Sequence, residues 1–161
     1  MNIGHFEKVS KNQFLMDCKN LLNIDEDNYD HIVIPSRATS GSAGYDFTCP
    51  FDILIKPGEL IKVPSGIRCF INEGYVLTIH PRSSLGFKYQ MALANTTGII
   101  DSDYYNAQNE GHIIVALVNR GNKDIVIQKG ERFVQGLFFK FYTVEEEEVT
   151  KVRTGGFGSS N

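Results

Sequence analysis

Residues 81–86 carry an arginine and two hydroxyls in succession, at a point where an apolar strand pattern gives way to a short helical one. The three side chains are Arg82, Ser83 and Ser84. Free backbone amides and the helix dipole attract anions at a helix start, and an arginine adds charge-assisted hydrogen bonds. The segment therefore predicts contacts to a phosphate group. The alternative is structural, with Ser83 as a helix N-cap and Arg82 in a surface ion pair.

Residues 98–104 place an acid after an apolar pair and before an aromatic residue. These residues are Ile99, Ile100, Asp101 and Tyr104. A carboxylate beside buried apolar side chains can act as a general base toward water. Asn95, which precedes this segment, carries an amide that can pair with the edge of a pyrimidine. The alternative is a turn in which Asp101 and Asp103 bind local amides and Asn95 has no further role.

The C-terminal segment 153–160 combines a cation, three glycines, an aromatic ring and hydroxyls. The residues concerned are Arg153, Gly155, Gly156, Phe157, Gly158, Ser159 and Ser160. Backbone amides of such a segment can wrap around phosphate while the ring covers a base. A glycine-rich chain end is otherwise commonly a disordered tail. Its function therefore depends on the other motifs.

Two further segments, residues 43–47 and 130–135, place polar side chains inside apolar strand patterns. The polar residues are Asp46, Arg132 and Gln135. Breaking a buried ion pair destabilises a protein by about 3–5 kcal/mol, because it leaves an unpaired charge in the interior. We therefore expect these three side chains to have polar partners.

The elements that must position these residues are mainly short strands. From residue 31 onward, apolar runs alternate with Gly and Pro turns, which predicts an all-β sandwich or barrel. Strands are predicted over residues 31–34, 52–55, 60–63, 67–71, 76–80, 91–94, 112–118, 124–127 and 132–142. Helical spacing of apolar residues is confined to residues 12–22 and to a shorter segment, residues 83–89.

The composition is that of a single globular domain. The chain has 161 residues, of which 42% are hydrophobic, and no apolar stretch is long enough to span a membrane. A net charge of -3 without a basic cluster argues against nucleic-acid binding. The start of the chain has no secretory signal, so a cytoplasmic location is expected. The three cysteines lack metal-site spacing and are expected to pack in the core.

Taken in order, the segments around Asp46, Arg82, Asp101, Gln135 and Arg153 resemble the five motifs of the trimeric dUTP diphosphatase (dUTPase) family. The resemblance runs from about residue 35 to the C-terminus, with Asn95 at the expected spacing between the second and third motifs. It implies a jelly-roll subunit in a homotrimer whose three active sites each combine residues of all three chains. Residues 1–151 would be one domain, with an extra helix over residues 12–22, and residues 152–161 a flexible lid.

The resemblance also implies the reaction, hydrolysis of dUTP to dUMP and pyrophosphate, which would limit uracil in DNA. Uracil would be bound by Asn95 and the main chain around Ile99, Ile100 and Ile114. Tyr104 would lie against the deoxyribose and reject a 2'-hydroxyl. Asp101 would be the general base that activates water for attack on the α-phosphorus.

Phosphate binding would fall to Arg82, Ser83, Ser84 and Gln135, with Asp46 and Arg132 ordering the groups behind them. Mg²⁺ would be held by the three phosphates and water, without a direct protein ligand. From the tail, the γ-phosphate would be bound by Arg153, Gly155, Gly156, Gly158, Ser159 and Ser160. Phe157 would stack on uracil.

Three features depart from the family pattern. Residues 105–111 form a longer loop, as in the Gram-positive bacterial and phage type, and leave the register of Ile114 open. Ser84 stands where glycine is commoner, and the first 34 residues exceed the usual length. The alternatives are a dCTP deaminase of related fold and a non-enzymatic interaction protein that uses the long loop and the N-terminal helix as its surface.

Overall fold

The computed structural model describes residues 2–145 together with Arg153 and Gly155. The tail residues Gly156, Phe157, Gly158, Ser159 and Ser160 lie outside the described residues. The described strands are β1 (Gly4–Lys8), β2 (Ser36–Arg37), β3 (Tyr45–Thr48), β4 (Ile53–Ile55), β5 (Leu60–Pro64), β6 (Ile67–Ile71), β7 (Tyr75–Pro81), β8 (Met91–Leu93), β9 (Gly98–Ile100), β10 (Ile114–Asn119), β11 (Ile125–Ile127) and β12 (Arg132–Lys140). The helices of this part are α1 (Lys11–Leu22) and α2 (Ser83–Tyr89).

The strands form antiparallel sheets around one core, which confirms the predicted all-β jelly-roll class. A five-stranded sheet has the order β2-β3-β12-β7-β9, and a three-stranded sheet has the order β5-β10-β8. Two further pairs are β1-β6 and β11-β4. In β10, buried and partly exposed residues alternate along Ile114–Asn119, as expected for a strand with one face on the core.

Both predicted helices are confirmed. The helix α1 begins after Ser10, whose side chain accepts a hydrogen bond from the Gln13 amide, and ends at Asn23 in the left-handed conformation. Its apolar face contains Phe14 and Cys18, which are fully buried. No helix within the described part of the chain is long and apolar enough to cross a membrane.

The strand predicted over residues 31–34 is wrong. A short 3-10 helix occupies Tyr29–His31, and the chain then runs to Pro35 without strand pairing. Ile32 is buried, whereas Val33 and Ile34 are exposed. The apolar run therefore anchors one side chain and does not form one face of a sheet.

The cysteines are free and buried, as expected. Burial raises the pKa of Cys18, Cys49 and Cys69 to about 12 in each case, so the thiols stay neutral near pH 7. They behave as apolar core residues.

Candidate active site

The predicted phosphate-binding residues are brought together by three adjacent parts of the five-stranded sheet. Gln135 on β12 stands opposite Asp46 on β3, and Arg82 follows the end of β7. The Asp46 carboxylate forms ion pairs with Arg82, whose Nε lies 3.1 Å away, and with Arg132, whose Nη1 lies 3.0 Å away. The Asp46 side chain is 11% exposed. Asp46 and Arg132 are therefore the expected polar partners of one another, and Arg82 is the third residue of this ion-paired cluster.

Gly44 makes room for the Gln135 side chain, a contact that the sequence alone did not predict. A Cβ atom at residue 44 would lie 2.6 Å from Gln135 Oε1. The Gln135 amide also donates to the Pro81 carbonyl at 3.4 Å. Gly44 and Gln135 line one cavity together with Asp46, Arg82 and Ser83.

Ser83 is the first residue of α2, whereas the N-cap position belongs to Arg82, whose side chain makes no capping bond. The alternative of Ser83 as an N-cap is therefore wrong. Ser83 and Ser84 are both exposed. Ser83 lines the Asp46 cavity, and Ser84 lines a neighbouring cavity beside Arg132. Both are accessible to an anion.

A second cavity contains three of the four predicted base-binding residues. It lies between the β8-β9 connection and β10, and its lining includes Asn95, Gly98, Ile100 and Ile114. The Ile99 side chain is 55% exposed and does not line the cavity, because neighbouring residues of β9 face opposite sides. The main chain of residue 99 lies beside the cavity, because its neighbours Gly98 and Ile100 line it.

Asp101 follows β9 and is exposed. It occupies the N-cap position of the 3-10 helix Ser102–Asn106, but its side chain makes no capping bond. Its carboxylate instead pairs with Arg153 Nη2 at 2.9 Å, and Asp103 pairs with Arg153 Nε at 3.0 Å. The tail arginine therefore contacts the third motif of its own chain, and not Arg82 or Ser83.

Tyr104 is 4% exposed, and its ring packs under this acidic turn. The hydroxyl donates to the His112 carbonyl at 2.7 Å and accepts from Asn109 Nδ2 at 2.8 Å. Burial raises the pKa of Tyr104, partly opposed by the bond from Asn109. The Arg153 guanidinium carbon lies 5.8 Å from the ring centre.

The acidic and phosphate-binding residues lie at opposite ends of β7. Ile100 of β9 pairs with Leu77, so continuing the antiparallel register places Asp101 beside Val76. Arg82 stands six residues further along the same strand line. At about 3.3 Å per residue, the two positions are about 20 Å apart. One chain alone does not hold both groups within reach of one phosphorus atom.

The jelly-roll fold, the arginine and serine cluster and the exposed carboxylate are the features expected of a hydrolase of phosphorylated ligands. The dUTPase family model matches residues 30–161, and the chain belongs to the dUTPase family. It is an enzyme that hydrolyses dUTP to dUMP. Hydrolysis of dUTP, and not deamination of dCTP, is therefore the assigned activity.

Similar proteins support this assignment. A deoxyuridine 5'-triphosphate nucleotidohydrolase of Lactococcus lactis is 42% identical over 132 residues, covering 80% of this chain and 88% of that protein. The dUTPase crystal structure from Streptococcus mutans has a TM-score of 0.68 at 32% identity, covering 88% of this chain and 98% of that one. A mutant dUTPase from phage phi11 of S. aureus, whose structure shows coordination of a structural Mg(II) ion, has a TM-score of 0.68 at 18% identity. The match covers 93% of this chain and 98% of the phage chain, and at this identity it shows similarity of fold alone.

Proposed function

We propose that dUTP hydrolysis proceeds by attack of water on the α-phosphorus, with Asp101 as general base, in sites shared between copies of a homotrimer. The observation that carries this proposal is the separation of Asp101 and Arg82 along β7. Because the two groups must act on one triphosphate, the Asp101 of one copy meets the Arg82 of another. A cyclic trimer with a repeated head-to-tail contact produces three such sites.

The Asp46 cavity is proposed as the phosphate end of the site. Arg82, Ser83, Ser84 and Gln135 bind phosphate oxygens, and Asp46 holds Arg82 in place by its ion pair. The carboxylate, hydroxyl and amide oxygens around the cavity suit a hydrated Mg²⁺, which commonly keeps its waters and binds substrate phosphates. When bound, Mg²⁺ neutralises phosphate charge.

The Asn95 cavity is proposed as the base end. Its lining is mainly apolar, and Asn95 with the backbone of residues 98–100 and of Ile114 can bind the polar edge of uracil. Tyr104 forms the wall against the deoxyribose, with its ring position fixed by the bond to the His112 carbonyl. A 2'-hydroxyl on the sugar would clash with this wall.

The chemical step is proposed to begin with Asp101 accepting a proton from water. The water oxygen forms a bond to the α-phosphorus while the bond to the bridging oxygen between the α- and β-phosphates breaks. The products are dUMP and pyrophosphate. Before substrate binds, Arg153 neutralises Asp101, so its transfer to the γ-phosphate frees the base and closes the site.

The proposed compartment is the cytoplasm, where buried free cysteines persist unoxidised.

The point of attack is tested by hydrolysis of dUTP in ¹⁸O-labelled water with Mg²⁺. We expect the label in dUMP and none in pyrophosphate, because attack is at the α-phosphorus. Label in pyrophosphate would contradict the proposal, and turnover that is unchanged after chelation of Mg²⁺ would contradict the role of the metal.

A further inference from the structure

The first residues of the chain contact the loop after Tyr104 at two places and His112, the residue that follows the loop, at a third. We propose that β1 and α1, here called the N-terminal brace (residues 4–22), hold the loop 105–111 so that Tyr104 keeps the position required to reject ribonucleotides. This inference rests on the proposed role of Tyr104. The brace precedes residue 30, where the family match begins, so it lies outside the part of the chain that the family model describes.

The first contact joins β1 to the start of the loop. The Tyr105 hydroxyl donates to Glu7 Oε2 at 2.8 Å, and the Arg68 guanidinium carbon lies 3.7 Å from the Tyr105 ring centre. The hydrogen bond from Tyr105 lowers the pKa of Glu7, so the acceptor is ionised at neutral pH. The ring of Tyr105 is thereby fixed between two elements.

The second contact joins the end of the loop to the start of α1. Glu110 accepts from the Ser10 amide and from the Ser10 hydroxyl, each at 2.7 Å. Ser10 is the N-cap of α1, and a carboxylate is favourable at a helix N-terminus. The Ser10 hydrogen bonds lower the pKa of Glu110. The loop and the helix therefore stabilise each other.

The third contact is internal. Asp17 of α1 pairs with Nδ1 of His112, a fully buried residue that directly follows the loop. The Gly66 amide donates to His112 Nε2 at 2.8 Å, so that nitrogen is an acceptor and the proton lies on Nδ1. The ring is thereby held in one tautomer and one orientation between α1 and the turn after β5.

These contacts converge on Tyr104. Its hydroxyl donates to the carbonyl of His112, the residue that Asp17 holds, and accepts from Asn109 within the loop. Asp17 and Glu110 are therefore assigned as positioning residues, because they act on Tyr104 through His112 and through the loop that Ser10 holds. Loosening the brace is expected to admit ribose before it slows chemistry on dUTP.

The test compares kcat and KM for dUTP and UTP in the full-length Asp17→Ala, Glu110→Ala and Tyr105→Phe variants. We expect the ratio of kcat/KM for dUTP over UTP to fall about tenfold in the first two, because a displacement of about 1 Å can change rates up to about a hundredfold. The loss should appear mainly as a raised KM for dUTP and a gain with UTP. Tyr105→Phe, which removes one hydroxyl, should have a smaller effect and leave the fold intact.

Two further variants make the outcome decisive. Asp25→Ala breaks the exposed ion pair between Asp25, which lies beyond the brace, and Lys19 on the surface of α1, and it should leave the ratio unchanged. Tyr104→Ala should lower the ratio at least as much as Glu110→Ala. If Tyr104→Ala lowers the ratio but the Asp17 and Glu110 variants do not, the brace proposal alone is overturned. An unchanged ratio in Tyr104→Ala overturns the proposed role of Tyr104 and the brace with it.

Discussion

Asp46 and Gln135 stand opposite each other on the paired strands β3 and β12. Asp101, in contrast, follows the end of β9, and Tyr104 lies in the short 3-10 helix after it. Side chains that contact these two residues come from distant segments of the chain. At the phosphate end, the sheet register itself places the side chains, and Arg82 and Arg132 are already ion-paired. At the acidic end, Asp101 is exposed and contacts a residue of the C-terminal tail.

The comparison separates two ways of building a site. Strand pairing fixes a polar cluster before any ligand binds, so the phosphate end is preorganised. At the acidic end, Arg153 pairs with Asp101, and we propose that this ion pair opens when Arg153 binds a phosphate. We therefore expect substitutions at the acidic end to affect the chemical step and those at the phosphate end to affect substrate positioning.

The largest effect is expected from Asp101→Asn. Loss of a general base should lower kcat about 10²–10⁴-fold with little change in KM for dUTP. Asp103→Asn is the matched control, because Asp103 also pairs with Arg153 and is as exposed. Steady-state kinetics that show equal losses in the two variants would contradict the assignment of Asp101.

A smaller effect is expected from Gly44→Ala. The new Cβ would meet Gln135 Oε1 at 2.6 Å, so the flexible amide should swing away from the phosphate end and lower kcat/KM about tenfold. Gly41→Ala is the control, because a Cβ there meets nothing within 4 Å. If the two alanine variants hydrolyse dUTP equally well, Gln135 does not bind the phosphates.

The smallest effect concerns stability in acid. Burial opposes ionisation of Asp17, but hydrogen bonds from His112 and Gln13 outweigh it and lower its pKa from 3.8. A lowered pKa means that ionised Asp17 stabilises the folded state above its unfolded pKa. That contribution is lost as the pH falls through the lower folded value.

Urea unfolding at about pH 5 and about pH 3 measures this loss. The free energy of unfolding should fall more between the two values in the wild type than in Asp17→Asn. An equal fall in both proteins would show that the Asp17–His112 pair does not contribute to acid sensitivity.

Local patterns in the sequence predicted much of this structure. Apolar spacing of three and four residues indicated α1 and α2, and polar residues within strand patterns indicated the cluster of Asp46, Arg132 and Gln135. The strand β1 was not predicted, because Gly4–Lys8 contains no apolar run and depends on pairing with β6. Non-local pairing of this kind leaves little trace in the local pattern.

The arrangement of the site was less accessible. The sequence indicated Asp101 and Arg82 as functional residues, but their positions at opposite ends of β7 follow from the β7-β9 register. The contacts of Glu7 with Tyr105 and of Ser10 with Glu110 join residues about 100 positions apart, and no motif signals them. Carboxylates and hydroxyls at these positions look like ordinary surface residues until the fold brings them together.

Subunit complementation tests the shared site most directly. Arg82→Ala and Asp101→Asn chains are each expected to form inactive homotrimers, because every site then lacks one group. Coexpressed with different affinity tags and purified as mixed trimers, they should recover dUTP hydrolysis, since some sites combine an intact Arg82 from one copy with an intact Asp101 from another. Mixed trimers as inactive as either parent would contradict a site shared between copies.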